Sequence, residues 1–435
     1  MPEVESALSF TEDGFQQLLE RRCDPDWVVE ARRDAWKAFA EMQWPTRNSE
    51  EWMRTDLRLF HLDRFQLAAS AAAPETTASV LNQGVDIGGQ AVAWNGFTQS
   101  EWLSDELAAK GIVFCSLNQA VREHANLVQP YLMNRAFESK YDRFSALHAA
   151  WWNSGAFLYV PRGVVVDKPL HMLSGLSGGA DFGHTLVVLE EGAEATLLSE
   201  SLSPEATATG LHCGGVELLV GKGANLRFVN LQDWGTGVWH FAHQKALVDR
   251  DANLQWTVGA LGAKLAKVNQ HVELLGRRAN CQVNGVMFTE GRQHLAYHTL
   301  QHHVAPDCHS DFLYKGALQD QSRTVWRGMI KVDQEAQKTD GYQRNDNLLL
   351  SDSARSDSIP GLEIEADDVR CTHGSTSGRV DEELIFYARC RGFTRKEAIR
   401  MIVAGFFQQV FDRITIESVR EALGQSIARR VRDYE

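Results

Sequence analysis

Two groups of residues in this chain carry side chains that metal chemistry uses. The first runs from His294 to His309: His294, His298, His302, His303 and His309, with Cys308 beside the last and the carboxylates Asp307 and Asp311 close by. On a strand, residues 294, 298 and 302 share a face, and on a helix a spacing of four does the same. A metal site built on imidazole and carboxylate is one geometric reading. A ladder of stacked or solvated histidines on a sheet is the other. The second group is Val369-Arg370-Cys371-Thr372-His373-Gly374. Two residues apart on a strand, Cys371 and His373 point to the same face. A thiolate beside an imidazole suits Fe, Zn or Cu. Two donors do not close a site, so further ligands must come from elsewhere in the fold or from another chain. A buried cysteine beside a hydrogen-bonded histidine is the alternative.

The rest of the chain narrows what such donors can serve. No Gly-x-x-x-x-Gly-Lys-Ser/Thr loop is present, so there is no standard phosphate cradle, and no hydrolase nucleophile elbow is expected. The seven cysteines (Cys23, Cys115, Cys213, Cys281, Cys308, Cys371 and Cys390) are widely spaced and form no Cys-x-x-Cys pair. That pattern opposes a zinc ribbon or a thioredoxin motif and predicts free thiols in a reducing compartment. A net charge of −13 over 435 residues argues against a nucleic-acid binder, whose affinity rests on Lys and Arg. No apolar run reaches the roughly 18–20 residues of a membrane span. The start, Met1-Pro2-Glu3-Val4-Glu5, lacks the basic and apolar regions of a targeting peptide. The expectation is a cytoplasmic protein with no membrane association.

The elements that must position these donors change character once along the chain. Before about residue 155 the pattern is mainly helical. Thr11 caps a helix carrying Phe15, Leu18 and Leu19, and a second helix spans about Pro25 to Gln43 with Val28, Ala31, Ala35 and Phe39 on one face. Ala68–Pro74 reads as a linker, and a further helical stretch lies near Leu117–Leu132. From Phe157-Leu158-Tyr159-Val160-Pro161-Arg162-Gly163 onward, β-branched residues and glycine dominate.

One unit then recurs: Val188-Leu189-Glu190-Glu191-Gly192-Ala193, Leu219-Val220-Gly221-Lys222-Gly223-Ala224, Leu247-Val248-Asp249-Arg250-Asp251-Ala252 and Leu274-Leu275-Gly276-Arg277-Arg278-Ala279. An apolar position follows two residues later, at Ala195, Leu226, Leu254 and Cys281. The alanines stand 31, 28 and 27 positions apart, the signature of a stacked repeat. One coil of short strands cannot bury its inner face alone, but coils stacked on it can. The prediction is a mixed, mainly β fold, with a β-helix (solenoid) core over residues 156–375, a mainly helical region over 1–155 and a helical region over 376–435.

In that last region Asp381-Glu382-Glu383 starts one helix. Thr394-Arg395-Lys396-Glu397 forms the capping box of the next. Its apolar stripe, from Ile399 through Ile402, Val403, Phe406, Phe407 and Val410 to Phe411, is wider than one buried face requires. A final amphipathic helix carries Ile416, Val419, Leu423, Ile427 and Val431.

Several of these segments together resemble the SufB/SufD family, the scaffold proteins of the SUF iron–sulfur cluster assembly machinery. They are Leu313-Tyr314-Lys315-Gly316, Ala336-Gln337-Lys338-Thr339-Asp340, Asn347-Leu348-Leu349-Leu350-Ser351, Leu362-Glu363-Ile364 and Ala366-Asp367-Asp368-Val369 with Cys371-Thr372-His373-Gly374. The resemblance covers nearly the whole chain and is strongest from Gln293 to Phe411. The Cys-x-His-Gly signature and the length look like the SufD branch. Ser375-Thr376-Ser377 departs from the more usual Ala-Thr-Val. The resemblance implies a subunit with no catalytic activity of its own and no bound nucleotide. It implies pairing with a SufB-like scaffold through the β-helices and docking of a SufC-like ATPase on the C-terminal helices, with Ile402, Phe406 and Val410 as candidate contacts. It also implies a transient iron–sulfur cluster shared with SufB at their interface, with His373, and with weaker support Cys371, as candidate ligands.

Two other readings make different predictions. A solitary metal-dependent hydrolase would use the His294–His309 group. A purely structural solenoid would pair with itself, and a homodimer of the isolated chain is compatible with the scaffold reading too, since open sheet edges must be capped or paired.

Overall fold

Six successive corners leading into the second sheet are built alike. In the computed structural model, which describes residues 7–68 and 79–431, the chain turns through one residue of positive φ and enters the next strand on a buried small residue. The corner residues are Gly192, Gly223, Asp251, Arg278, Asp307 and Lys338, with φ between 58° and 70°. Glycine adopts this conformation freely, whereas other L-residues pay roughly 1–2 kcal/mol for it. What holds the non-glycine corners is a bond between coils. The corner N–H of Asp251 donates to Arg277 O at 3.1 Å, and that of Lys338 to Asp368 O at 2.6 Å. Ala193, Ala224, Ala252 and Ala279 follow the corners, all buried, and Cys308 and Thr339 take the same place in later coils.

Each coil adds one strand to each of two parallel sheets, and eight coils stack among the described residues. The first sheet holds Ser154–Val160, Gly183–Leu189, Thr209–Val220, Gly237–Val248, Leu265–Leu274, His294–His303, Arg323–Val332 and Arg355–Ile364. The second holds Leu170–Gly175, Glu194–Leu202, Asn225–Asp233, Asn253–Ala260, Asn280–Thr289, His309–Leu318, Asp340–Leu349 and Arg370–Arg379. The predicted apolar column is real: Ala195, Leu226, Leu254 and Cys281 stand in register on neighbouring strands. The fold is thus mainly β, a solenoid core with helices at both ends of the chain.

The two sheets face each other across a lumen that is apolar at its corners and through its middle coils and polar around Ser199, His212, Gln232 and His240, and each is covered outside. Phe15, Trp36, Phe39, Trp151 and other apolar residues of the N-terminal region pack against Leu211, Phe241 and Leu265 of the first sheet. The C-terminal helices Glu382–Cys390, Arg395–Phe411 and Glu417–Arg430 pack Ile399, Phe407 and Leu423 against Val229, Phe288 and Leu313 of the second. Two buried carboxylates fasten the N-terminal region more specifically. Glu217 accepts from the backbone N–H groups of Met133, Ala136 and Phe137 at 2.7, 3.3 and 2.9 Å, and lies 3.0 Å from His184 Nε2. Glu200 accepts from Ser79 Oγ, Val80 N and Leu81 N at 2.5, 2.7 and 3.2 Å, with His171 Nε2 at 3.5 Å.

Thr11 and Thr394 cap their helices, Glu12–Arg22 and Arg395–Phe411, as expected, the latter with a full capping box. Three features differ from the sequence reading. The stretch near 117–132 breaks into Leu117–Glu123 and Ala125–Val128, because His124 leaves the helical region at φ −125°, ψ 33°. The N-terminal region also contributes strands Gly89–Trp94, Phe97–Leu103 and Val113–Ser116. Finally, a complete strand, Arg370–Arg379, follows Val369 and runs past residue 375. Of the Ala68–Pro74 linker, residues 69–74 lie outside the described residues.

The solenoid's two ends are unlike. At the first, Phe97–Leu103 and Val113–Ser116 close the sheets by antiparallel pairing. At the other, Arg355–Ile364 pairs with Arg323–Val332, and Arg370–Arg379 with Asp340–Leu349, each along one edge.

Candidate functional site

Cys371 and His373 sit on the last strand of that open end. Cys371 continues the column Leu254, Cys281, Ser310, Gly341. His373 continues Trp256, Val283, Phe312, Gln343. Both columns face the lumen, so both side chains point along the inner face, as their spacing predicts. Cys371 packs beside Ile330, Val332 and Ala366 and is half-buried, while His373 is exposed. Burial pushes the Cys371 thiol above its ordinary range, with Asp340 adding to the effect and the Gly341 backbone opposing it. The group is therefore a thiol in this chain alone and would release its proton on meeting a metal.

One coil below, Gly341 leaves a gap. The point a Cβ would occupy there lies 3.4 Å from Cys371 Sγ and 3.5 Å from His303 Nε2, so thiol and imidazole face each other across a missing side chain. His303 is within 2.8 Å of Ser310 Oγ, which donates to Gln301 Oε1 at 2.6 Å. Burial holds the His303 imidazole down at about 3, with His302 and His309 adding to it. Gln343, fully buried, donates through Nε2 to Gly361 O at 3.1 Å and leaves its Oε1 unpaired.

The first sheet's last strand completes the rim. Leu362 and Ile364 stand in register with the fully buried Ile330 and Val332. They remain 39% and 40% exposed because no further coil covers them. The open end therefore displays an apolar patch, two strand edges and a Cys–His pair together.

The His294–His309 group does not converge. His302 lies on the outer face, 2.8 Å from Asp333 Oδ1, while its neighbour His303 faces the lumen. His298 is buried near Lys267, Arg327 and His271, and burial first, then Lys267, Arg327 and the neighbouring His271 imidazole, hold it at about 2. His309 belongs to the other sheet. Asp307 is taken by Arg277 at 2.7 Å and Asp311 by Arg413 at 3.0 Å. Among the described residues no three His, Cys, Asp or Glu side chains gather as a metal-holding group. The solitary hydrolase is thus without a constellation at these residues. A Gly-x-Ser-x-Gly string does occur, contrary to expectation, at Gly175-Leu176-Ser177-Gly178-Gly179. It is no elbow: it joins strand Leu170–Gly175 to strand Ala180–Asp181 with no helix behind it, and Ser177 bonds Asn95.

On the C-terminal helices, Val410 is fully buried against the second sheet, so of the three candidate contacts it is not at the surface. Ile402 and Phe406 are partly buried. The exposed apolar side chains are Leu384, Phe386, Tyr387, Phe393 and Met401, with Phe386 at 69%. They fall on the helix Glu382–Cys390, on its neighbour and, for Phe393, in the turn between them, whereas the sequence stripe drew attention to one helix. The lumen partners Gly341 and Ser310 were within reach of the sequence. They precede Cys371 by 30 and 61 positions, one and two turns of the repeat.

The architecture is a two-sheet β-solenoid, closed at one end and carrying a Cys–His pair at the other. Residues 171–406 match the model of the SufBD core domain of SUF-system FeS cluster assembly. Residues 13–172 match that of the SufBD protein N-terminal region. The chain belongs to the SufBD family. A SufBD family iron–sulfur cluster assembly protein of Staphylococcus haemolyticus is 26% identical over 426 residues, 95% of this chain and 91% of the relative. One from Staphylococcus saprophyticus is 29% identical over 317 residues, 72% of this chain and 68% of the relative. This is a protein of iron–sulfur cluster assembly, and among its described residues no helix is long and apolar enough to cross a membrane.

Proposed function

We propose that this chain is the SufD-type subunit of a SUF complex, a cytoplasmic scaffold without catalytic activity. It pairs with a SufB-type chain through the open end of the solenoid and docks a SufC-type ATPase on the helices of residues 376–435. Cys371 and His373 face iron or a nascent cluster, which is the cargo, at the paired interface. The partner supplies the remaining ligands.

The observation that carries this reading is the uncapped end itself. A solenoid ordinarily covers its last coil, because bare strand edges and open core invite unwanted pairing. Here Leu362 and Ile364 stay exposed beside the Cys–His pair. The exposed side chains of Leu384, Phe386, Tyr387 and Met401 support a second docking surface. A second copy of the chain would use the same open end when the partner is missing.

The test is anaerobic co-expression with a SufB-type scaffold and a SufC-type ATPase, followed by subunit mass and iron and sulfide analysis. His373→Ala is expected to leave the complex intact and lower its iron and sulfide content. The double change Leu362→Asp, Ile364→Asp is expected to abolish scaffold pairing and spare ATPase binding. Normal cluster content in the first variant, or normal pairing in the second, would overturn the assignment.

A further inference from the structure

A cleft of about 900 Å³ opens in the N-terminal region, between the end of helix Asp26–Glu41, the segment from Trp44 to Asp63 and the start of helix Arg143–Trp151. Its size falls in the range of roughly 300–1,000 Å³ that small-molecule sites occupy. Pro45 bars the first of these helices from continuing through Trp44. The chain therefore leaves the helix there and returns along the cleft. One wall is aromatic. Phe39 and Phe60 are buried, and Trp44 meets both rings edge to face, at centroid distances of 6.1 and 5.8 Å. Trp44 itself stays 37% exposed.

The other notable lining group is Arg143. Its guanidinium carbon lies 4.4 Å from the ring centres of both Phe39 and Trp44, and Nη1 donates to Met42 O. These contacts hold the planar group in place. No carboxylate answers its charge. Nε is buried without an acceptor, and burial lowers the arginine pKa with no neighbouring carboxylate raising it back. The adjacent Asp142 is engaged in the helix cap, where it accepts from Ser145 N at 2.8 Å. Asp56, also on the cleft, is held by Arg47 Nη2 at 2.6 Å and Arg58 Nη2 at 2.7 Å. Asp63 is exposed, where water and salt screen it. A partly buried cation without a counter-ion is costly. At the first position of a helix it also opposes the dipole. Methionine would pack on Phe39 and Trp44 without either cost.

We propose that this cleft binds a small aromatic anion, a planar ring carrying a carboxylate or phosphate, with the anionic group on Arg143 and the ring against Trp44 and Phe60. The lining selects this class. A fixed guanidinium presents planar donors to an oxyanion. Aromatic side chains offer a planar ligand stacking surface. The proposal goes beyond the assembly role and does not depend on it, since no lining residue belongs to the Cys–His end or to the C-terminal helices.

The experiment uses the full chain and 1-naphthyl phosphate, with 1-naphthol and inorganic phosphate as its two halves. Isothermal titration calorimetry is expected to show saturable binding of 1-naphthyl phosphate with a dissociation constant below about 1 mM, and at least about tenfold weaker binding of either half. Arg143→Met removes the charge and keeps the stem against the rings. It is expected to weaken 1-naphthyl phosphate by at least about tenfold and to leave 1-naphthol within about twofold of the parent. Fluorine NMR of the chain labelled with 5-fluorotryptophan locates the site, with Trp44→Phe and Trp102→Phe identifying two signals. The Trp44 signal is expected to move during the titration. The signal of Trp102, 44% exposed and outside the cleft, is expected to stay. Absence of saturable binding, equal affinity for 1-naphthol, parent-like affinity in Arg143→Met or an unmoved Trp44 signal would each overturn the site. The comparison of the three compounds is made on the unaltered chain, so it decides the matter even where Arg143→Met folds poorly.

Discussion

Glu217 offers the most quantitative test of how the N-terminal region is held. Its carboxylate, fully buried on the first sheet's outer face, collects three backbone N–H groups and faces His184 Nε2. His184 in turn meets His148 Nε2 through Nδ1 at 2.9 Å, and His148 Nδ1 donates to Cys213 O at 2.7 Å. Burial and the neighbouring His184 hold the His148 imidazole well below the usual histidine range. Glu217→Ala strands four donors in a dry seam. At about 1 kcal/mol each, the low end for a buried group that loses its partner, the loss is about 4 kcal/mol. Glu217→Gln keeps one acceptor oxygen but turns an amide N–H₂ toward N–H donors, for about 2 kcal/mol. The assay is native-state hydrogen exchange of the Met133, Ala136 and Phe137 amides. A 4 kcal/mol loss speeds their exchange by roughly 10³-fold when it falls on local opening. Glu200→Ala serves as the paired control, since it should free the segment around Val80 and Leu81 and leave 133–137 protected. Exchange within tenfold of the parent in Glu217→Ala would refute the clamp.

Two further outcomes follow from single residues. Lys267 is buried under Trp52 and donates to Asn269 Oδ1 at 2.8 Å. Burial is the main reason its amine falls from 10.5 to about 7, with Glu51 and Asp142 opposing and Arg327 adding. Between pH 7 and 10.5 the unfolded chain binds more protons at this site, so stability rises with pH there, by up to roughly 5 kcal/mol at 1.36 kcal/mol per unit. Lys267→Met should remove that rise and stabilise the chain at pH 7 and below, as read from urea midpoints across the range; an unchanged slope would count against it. Lys338 is exposed and sits at φ 61°. Lys338→Gly should raise stability by about 0.5–1 kcal/mol, since relief of the left-handed strain exceeds glycine's entropy cost, and a lower urea midpoint would contradict this.

What the sequence disclosed follows from what repeats. Ala193, Ala224, Ala252 and Ala279 share one environment coil after coil, so their spacing announced the stack. The capping box at Thr394 is local hydrogen bonding, readable within four residues. Strands Gly89–Trp94 and Phe97–Leu103 left no such trace. They pair with each other antiparallel at the solenoid's end, where Gly89–Trp94 also lies parallel to Leu170–Gly175, and Phe97-Thr98-Gln99-Ser100-Glu101 carries few apolar residues because most of that strand is exposed. The facing of Cys371 and His373 was legible from parity. Their surroundings were not, because His303, Gly341 and Gln343 are neighbours across coils and become visible only when the 30-residue step from Gly341 to Cys371 is applied to the motif. Val410 was misplaced for a related reason: a stripe wider than one face does not say which edge of it meets the sheet.

The inner columns change chemistry along the solenoid, and the change explains where a site can be. Through the middle coils the lumen column is Phe228, Trp256, Val283 and Phe312, each fully buried. A donor placed there would pay the full cost of an unpaired polar group in a dry core. In the last two coils the same column becomes Gln343 and His373, and its neighbour becomes Gly341 and Cys371. Gln343 is still fully buried and bonds Gly361 O, whereas His373 is exposed because the end is open. Toward the first end the lumen also holds buried polar side chains, Ser199, His212, Gln232, His240 and Gln244, but antiparallel strands of the same chain close that end and present no donor at a surface. Openness therefore makes the Cys–His pair tolerable to the fold and leaves Leu362 and Ile364 uncovered at once, so the donors and the apolar rim belong to one surface rather than two.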